Sequence, residues 1–329
     1  MPSADLVGYS NLALYSAMGV FTVSMVLFAI YLAALGPVRN ERVSSANREL
    51  VVAGGAVQDP GGAPARIPAS GEPADEPSAR ARKTGSIALS LAWLGSLLLV
   101  ASVVLRGLAV MRPPWGNMFE FATAGCAVAA LGYCAVARRR HWEWLGLFVI
   151  GPVLLTLGLS LFAFYTEAAE LVPALRSVWL TIHVVVAFLA VAVLTVGFSI
   201  GILYLIKRRR EERPPARRNF VESLPPAASL ERTAYGLNMI GFILWTFTLV
   251  AGAIWAQKAW SSYWTWDPKE VWTFVIWVVY AAYMHARATA GWEPRKAMWI
   301  ALGGYVCVLL NFTVVNLFFT GMHAYSGLK

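Results

Sequence analysis

Apolar residues in this chain fall in long runs, separated by shorter segments rich in Arg, Lys, Gly and Pro. A helix that crosses a bilayer needs about 20 mostly apolar residues. Runs of that kind lie at residues 10–35, 86–111, 119–137, 143–164, 174–206, 234–256, 270–288 and 297–320. The pattern predicts an all-α, polytopic membrane protein with about eight transmembrane helices. It divides into an N-terminal membrane helix (1–35), a flexible cytoplasmic linker (36–85) and a seven-helix membrane domain (86–329). The first run is expected to stay as a helix and not to be a cleaved signal peptide. It opens Met1-Pro2-Ser3-Ala4-Asp5 without a basic start, and its apolar run is too long for one.

Composition agrees with this and removes alternatives. Of the 329 residues, 58% are hydrophobic and 14% charged; a soluble domain is roughly 45–50% apolar and 25% charged. A freely soluble enzyme is excluded. Fourteen Trp and 13% aromatic residues exclude a disordered chain. The three cysteines, Cys126, Cys134 and Cys307, lie in apolar stretches with neither CxxC nor zinc spacing.

The net charge of +9 would suggest nucleic acid in a soluble protein. Here the placement of the charges matters more. If the N-terminus is outside, the inner loops are 36–85, 138–142, 207–233 and 287–296, and they hold 7, 3, 8 and 3 Lys or Arg, 21 of the chain's 27. The outer segments hold Arg112, Arg176, Lys258, Lys269 and Lys329, and Arg106 lies within the second run. The positive-inside rule then places both termini on the outer, periplasmic (extracytoplasmic) side. No nucleic-acid partner is expected. The basic run 207–226 is read as a topology anchor, with contact to anionic membrane lipid as the alternative. Residues 51–78, rich in Gly, Ala and Pro, form the flexible part of the linker.

Candidate chemistry gathers in the outer loop at 255–272. Trp255, Trp260, Trp264 and Trp266 fall within twelve residues, with Tyr263 among them, and Asp267-Pro268-Lys269-Glu270 follows. An interfacial aromatic belt is one reading, since Trp and Tyr favour the head-group level. A belt is spread over all helices, however. A cluster in one loop suits a shelf for a large planar ligand with apolar faces and a charged edge. Asp267 and Glu270 are expected to cap the following helix beside Pro268.

The four histidines differ in depth. His183 lies 23 residues before the inner end of its run, about 35 Å at 1.5 Å per residue, hence at the outer surface. His323 follows the last run, also at the outer surface. Two outer histidines beside a Trp-rich loop fit axial ligands of a haem iron. His285 lies 15 residues into its run, about 22 Å deeper, near the inner leaflet. It cannot share an iron with the outer pair, and is either a neutral hydrogen-bonded residue or half of a site completed elsewhere. His141, beside Arg138-Arg139-Arg140, reads as a head-group residue. The outer stretch Arg112-Pro113-Pro114-Trp115-Gly116-Asn117-Met118-Phe119-Glu120 and Arg176 belong to the same neighbourhood. Arg112, Arg176, Lys258 and Lys269 are the outer cations that could meet haem propionates.

These residues resemble a known family. The stretch Trp260-Ser261-Ser262-Tyr263-Trp264-Thr265-Trp266-Asp267-Pro268-Lys269-Glu270-Val271-Trp272 resembles the Trp-rich "WWD" signature of haem-handling proteins in cytochrome c maturation. Trp115, Asn117 and Glu120 resemble the family's outer loop. Arg176 and His183 sit in a segment resembling the one with its first external His, and Asn316 to Tyr325 resembles the one with the second. From about residue 86 onward the chain looks like CcsA (ResC), of System II cytochrome c biogenesis. One departure is Ser261, where the family usually has Gly.

The resemblance implies a haem b cargo relayed across the membrane. His285 would receive it with a His of the partner CcsB (ResB), and His183 and His323 would hold it at the Trp platform. There the CxxCH thiols of apocytochrome c, kept reduced by a thioredoxin-like protein, add to the haem vinyl groups. The chain would then be a subunit of a cytochrome c synthase active with CcsB, in a bacterial cytoplasmic membrane, or a thylakoid membrane if plastid-encoded. The alternative is a haem transporter or chaperone like CcmC that serves a separate ligase. A b-type redox subunit would need a depth-matched mate for His285, which this chain lacks.

Overall fold

The computed structural model describes residues 3–35, 78–168, 177–213 and 220–323. These are helical almost throughout, with no strand among the described residues. In chain order the long helices are α1 (Ala4–Leu35), α2 (Ala79–Ala109), α3 (Met118–Arg140), α4 (Gly146–Ala163) and α5 (Val178–Glu211). They continue with α6 (Ala227–Trp260), α7 (Pro268–Ala288) and α8 (Pro294–Leu310). A π-helical turn, Asn311–Val315, and a last short turn, Asn316–Phe318, extend α8. All eight predicted runs are therefore helices. Helix α2 begins well before residue 86, capped by the Ser78 hydroxyl, which accepts from the N–H of Ala81. The rest of the expected linker, 36–77, lies outside the described residues.

Seven of the eight helices are long and apolar enough to cross a membrane, and α7 is the one that is not. Its 21 residues spend positions on Trp272, Trp277, Tyr280, Tyr283 and His285 where its neighbours carry aliphatic side chains. The chain is a polytopic, all-α membrane protein.

Two antiparallel pairs frame the bundle. Helix α1 runs along α2, its Ser10 and Ser24 hydroxyls donating to the carbonyls of Ser102 and Ala88, each at 2.8 Å. Interhelical bonds of this kind in a membrane stabilise by about 0.6 kcal/mol on average, so close packing must supply most of the cohesion. It does so at Gly95 of α2, where a side chain's first carbon would lie 2.7 Å from the Phe21 ring. The second pair is α5 and α6. At one end the Glu211 carboxylate accepts from the N–H of Ala227 at 3.0 Å. At the other, the start of α5 meets the last third of α6, and there the Trp-rich loop joins α6 to α7.

The opposite end is closed by charge. Arg287 of α7 pairs with Glu231 of α6 at 2.8 Å, and its guanidinium lies over the Tyr235 ring. His141 ends α3 in a left-handed conformation, φ 54°, and is exposed.

Candidate functional site

A cavity of about 600 Å³ opens within the bundle at the Trp-loop end. Pockets for small molecules and cofactors span about 300–1,000 Å³ and are mostly apolar. Both His183 and His323 line this one, with Trp115, Asn117, Trp255 and Trp264.

His183 lies in the second turn of α5 and faces α6. Its Nδ1 is 2.9 Å from the carbonyl oxygen of Thr248. That carbonyl is approachable because the residue one turn later is Gly252: a side-chain carbon there would lie 2.9 Å from His183 Cε1 and 3.0 Å from Nδ1. A carbonyl can only accept, so Nδ1 carries the proton and Nε2 keeps its lone pair. The ring lies nearly parallel to Trp255, at 15° and 6.4 Å between centroids.

His323 comes from the far end of the chain and is fixed in the same way. Its Nδ1 is 2.9 Å from Asp267 Oδ1, and Asp267 is only 5% exposed. Its ring meets Trp260 edge to face at 4.8 Å and Trp255 at 5.7 Å. Metal-binding histidines almost always donate their second ring nitrogen to a carboxylate or carbonyl, which fixes tautomer and orientation. Both outer histidines show this arrangement, and both lie against Trp255.

Asp267 serves several partners. It caps α7, accepting from the N–H of Lys269 at 2.9 Å, and it also accepts from the N–H of Met322. Glu270 completes a capping box, accepting from the N–H of Asp267 at 3.2 Å and of Thr265 at 2.7 Å. The capping expected of Asp267 and Glu270 is observed; the link to His323 is additional. Burial alone would raise the Asp267 carboxyl. The hydrogen bond and charge of His323, with the backbone donors of Lys269 and Met322, outweigh burial and hold it below its ordinary value.

The tryptophans do not form the flat shelf expected from their spacing. Trp255 is buried, Trp260 and Trp264 are half-buried, and Trp266 is 77% exposed. Trp255 and Trp260 meet at 64°, and Trp264 and Trp266 at 86°. Edge-to-face contact is the arrangement that aromatic quadrupoles favour. The chain is turned at Ser261 (φ 59°) and Trp266 (φ 61°), both left-handed. The loop is thus a wall with one ring held outward. Ser261 adopts the left-handed conformation for which Gly is the usual residue.

The remaining expected site residues divide. Trp115 lines the cavity against Phe188. Asn117 lines it too, and caps α3 by accepting from the N–H of Glu120 at 2.9 Å. Glu120 is not among the lining residues. Fully buried, it accepts from Arg106 Nε at 3.0 Å, Arg112 Nη1 at 2.7 Å and the N–H of Gly116 at 2.8 Å. Two guanidinium groups and a backbone donor saturate this carboxylate, making it the brace of the outer loop, and they occupy Arg112 as well. Arg176 lies outside the described residues. His285 is exposed on α7 toward the opposite end, its Nε2 3.5 Å from the Thr289 hydroxyl. It does not join the outer pair, as its depth predicted.

Sequence reading missed the Thr248 carbonyl, the Gly252 gap, the Asp267–His323 bond and the contact of Lys269 Nζ with the Asn311 carbonyl, 2.6 Å long. The sequence signal for the gap was a lone Gly in an apolar helix. Backbone partners leave no signal in side-chain patterns.

With this geometry in hand, the comparisons with known proteins are specific. The family described as "Cytochrome C assembly protein" matches residues 91–323. A cytochrome c biogenesis protein CcsA of Chlamydomonas reinhardtii is 34% identical over 250 residues, 73% of this chain and 69% of that protein. CcsA of Prochlorococcus marinus (strain NATL2A) is 33% identical over 268 residues, covering 72% and 84%. CcsA of Parasynechococcus marenigrum is 33% identical over 275 residues, covering 74% and 87%. Among solved structures, a "Cytochrome c Heme Lyase CcmF" shares the fold with a TM-score of 0.61 at 14% identity. That match covers 95% of this chain and 47% of the CcmF chain. This multi-pass membrane protein belongs to the CcsA family of cytochrome c biogenesis proteins.

Proposed function

We propose that this chain holds haem in the cavity at its Trp-loop end, with His183 and His323 as axial ligands, and presents it for covalent attachment to apocytochrome c. The observation that carries the reading is the matched bracing of the two rings. Each gives Nδ1–H to a fixed acceptor, Thr248 or Asp267, and so keeps the Nε2 lone pair for a metal. The apolar wall, about 600 Å³ of space and the Trp255 ring beside both histidines suit a porphyrin. The distribution of Lys and Arg supports an outward-facing site, with both termini on that side. A bacterial cytoplasmic membrane, or a thylakoid membrane for a plastid gene, is the setting this implies.

His285 would take haem at the opposite end together with a ligand from CcsB. The attachment step asks little acid–base chemistry of the protein. A CxxCH thiol of apocytochrome c, kept reduced by a thioredoxin-like protein, adds across a haem vinyl group. Sulfur bonds to the vinyl carbon next to the ring, and the thiol proton ends on the terminal carbon. The protein contributes position, exclusion of water and control of the iron. The haem-lyase name of CcmF, which shares this fold, is in keeping with such a role.

The test is the absorption spectrum of detergent-purified protein, wild type beside His183→Ala/His323→Ala, each with and without co-expressed CcsB. A low-spin haem spectrum lost in the double variant is expected. An unchanged spectrum would sink the assignment. Holocytochrome formation by this chain with CcsB alone separates a synthase from a carrier serving another ligase.

A further inference from the structure

Apart from the two histidines, the charged side chains among the described lining residues, Lys269 and Glu270, stand together where α7 begins against the π turn of α8. Among the described residues that line the cavity, Lys269 is the one Lys or Arg. Its Nζ donates to the carbonyl of Asn311, the first residue of that π turn, at 2.6 Å. An ammonium has three donors, and this contact uses one. The carboxylates next to it in sequence are already engaged. Asp267 accepts from Lys269 N–H, Met322 N–H and His323, and Glu270 accepts from the N–H groups of Thr265 and Asp267.

Among the described residues, the other outer cations are placed elsewhere. Arg112 is spent on Glu120, and Lys258 is exposed, with Nζ 5.9 Å above the Trp179 ring. A second polar group shares the Lys269 wall. Asn311 is 9% exposed and lines the cavity, and its side-chain Oδ1 is buried without a hydrogen-bond partner. The two ends of an Asn amide exchange by rotation, so this group can turn its N–H₂ toward an acceptor. With the neighbouring carboxylates held by backbone donors, a half-buried cation with unused donors gains from a counter-ion on the cavity side. The chemistry that completes this corner is a carboxylate carried by a ligand whose body is apolar.

We infer that Lys269, with the Asn311 amide beside it, is the anchor for one propionate of the haem. This rests on the haem reading above and adds an orientation to it. Holding the carboxylate edge at the start of α7 selects one of the ways a near-symmetric disc can lie between two histidines. The edge bearing the vinyl groups is then the edge left for the thiols. Lys269 is a positioning residue and touches no reacting atom of the addition.

The experiment compares haem with haem dimethyl ester, in which both propionates are blocked, titrated into the purified protein and followed in the Soret band. Wild type is expected to bind haem on the order of tenfold more tightly than the ester, since hydrogen bonds to charged groups are the strong ones. Lys269→Met should bring that ratio close to one and keep the low-spin spectrum, while Lys269→Arg should retain most of the preference. Equal affinity of wild type for haem and ester would overturn the proposal, and this arm needs no variant to fold. So would a Lys269→Met protein with the wild-type ratio. Failure of the haem reading itself looks different: His183→Ala/His323→Ala would then leave both ligands bound as before.

Discussion

The two ends of the bundle use the same residue type in opposite ways. At the Trp-loop end, His183 and His323 sit in a cavity, each pinned through Nδ1 by an acceptor from another part of the chain. At the other end, His285 stands exposed on α7, its Nε2 3.5 Å from the Thr289 hydroxyl. The first arrangement is complete within one chain. The second is an exposed ring with a single hydroxyl contact among the described residues, an arrangement that suits the half-site proposed for it. A histidine's role is therefore read from its second nitrogen and its surroundings more than from its presence in a membrane helix.

The largest effect expected from disturbing this contrast falls on the brace below the outer loop. Glu120→Gln leaves Arg106 and Arg112 buried without their counter-charge, and breaking such a pair costs about 3–5 kcal/mol. Thermal unfolding in detergent should show this loss, and whatever folds should keep the wild-type haem spectrum. A changed spectrum would make Glu120 part of the ligand site after all.

Next comes Asp267→Asn, which keeps the shape but weakens the acceptor behind His323. Loss of such a partner typically costs about 10–100-fold in metal affinity, measurable by haem titration. The same variant reports on pH. The Asp267 carboxyl is held below its ordinary value in the fold. Its stabilising contribution is thus present above the ordinary carboxylate range and is lost as pH falls through the folded value. Unfolding temperature followed on acidification should drop less steeply in Asp267→Asn than in wild type.

Gly252→Ala tests the other brace. The added methyl would sit 2.9 Å from His183 Cε1, displacing the ring, and about tenfold weaker haem binding is expected. Alanine favours a helix over glycine by roughly 0.5–1 kcal/mol, so affinity should fall without a matching loss of helix stability. Parallel losses of both would point to general misfolding instead. The smallest effect belongs to His285→Ala. It should leave the spectrum of haem bound at the outer pair unchanged while lowering the amount loaded when CcsB is present. An altered outer spectrum would collapse the distinction between the two ends.

Much of this was legible in the sequence. Seven of the eight helices follow from run length, because hydrocarbon thickness sets a minimum number of apolar residues; the expected eighth span, α7, is a helix that falls short of that measure. That His183 stands at the Trp-loop end and His285 toward the other followed from counting residues along helices of fixed rise, and the place of His323 from its position after the last run. Less legible was anything carried by the backbone or by tertiary approach. Nothing in the letters says that the Thr248 carbonyl faces a ring, or that Asp267 reaches His323 across the loop. The flat shelf failed because spacing along a loop does not fix ring angles; the turns at Ser261 and Trp266 do. Glu120 was expected near the ligand because it follows Asn117 in the motif. Two arginines, one of them within the second apolar run, claim it instead.

The π turn at Asn311–Val315 makes His323 sensitive to arithmetic as well as chemistry. Such a turn holds one residue more than the α-helix around it. Deleting a single residue there, Thr313 for instance, would let the segment relax into regular helix. Everything after it would turn by about 100° and shift by about 1.5 Å. No ligand, Trp or cap would be altered, yet His323 would leave Asp267. In this protein the length of one stretch of helix, counted to the residue, acts as the calibration of a proposed metal ligand eight residues beyond its end.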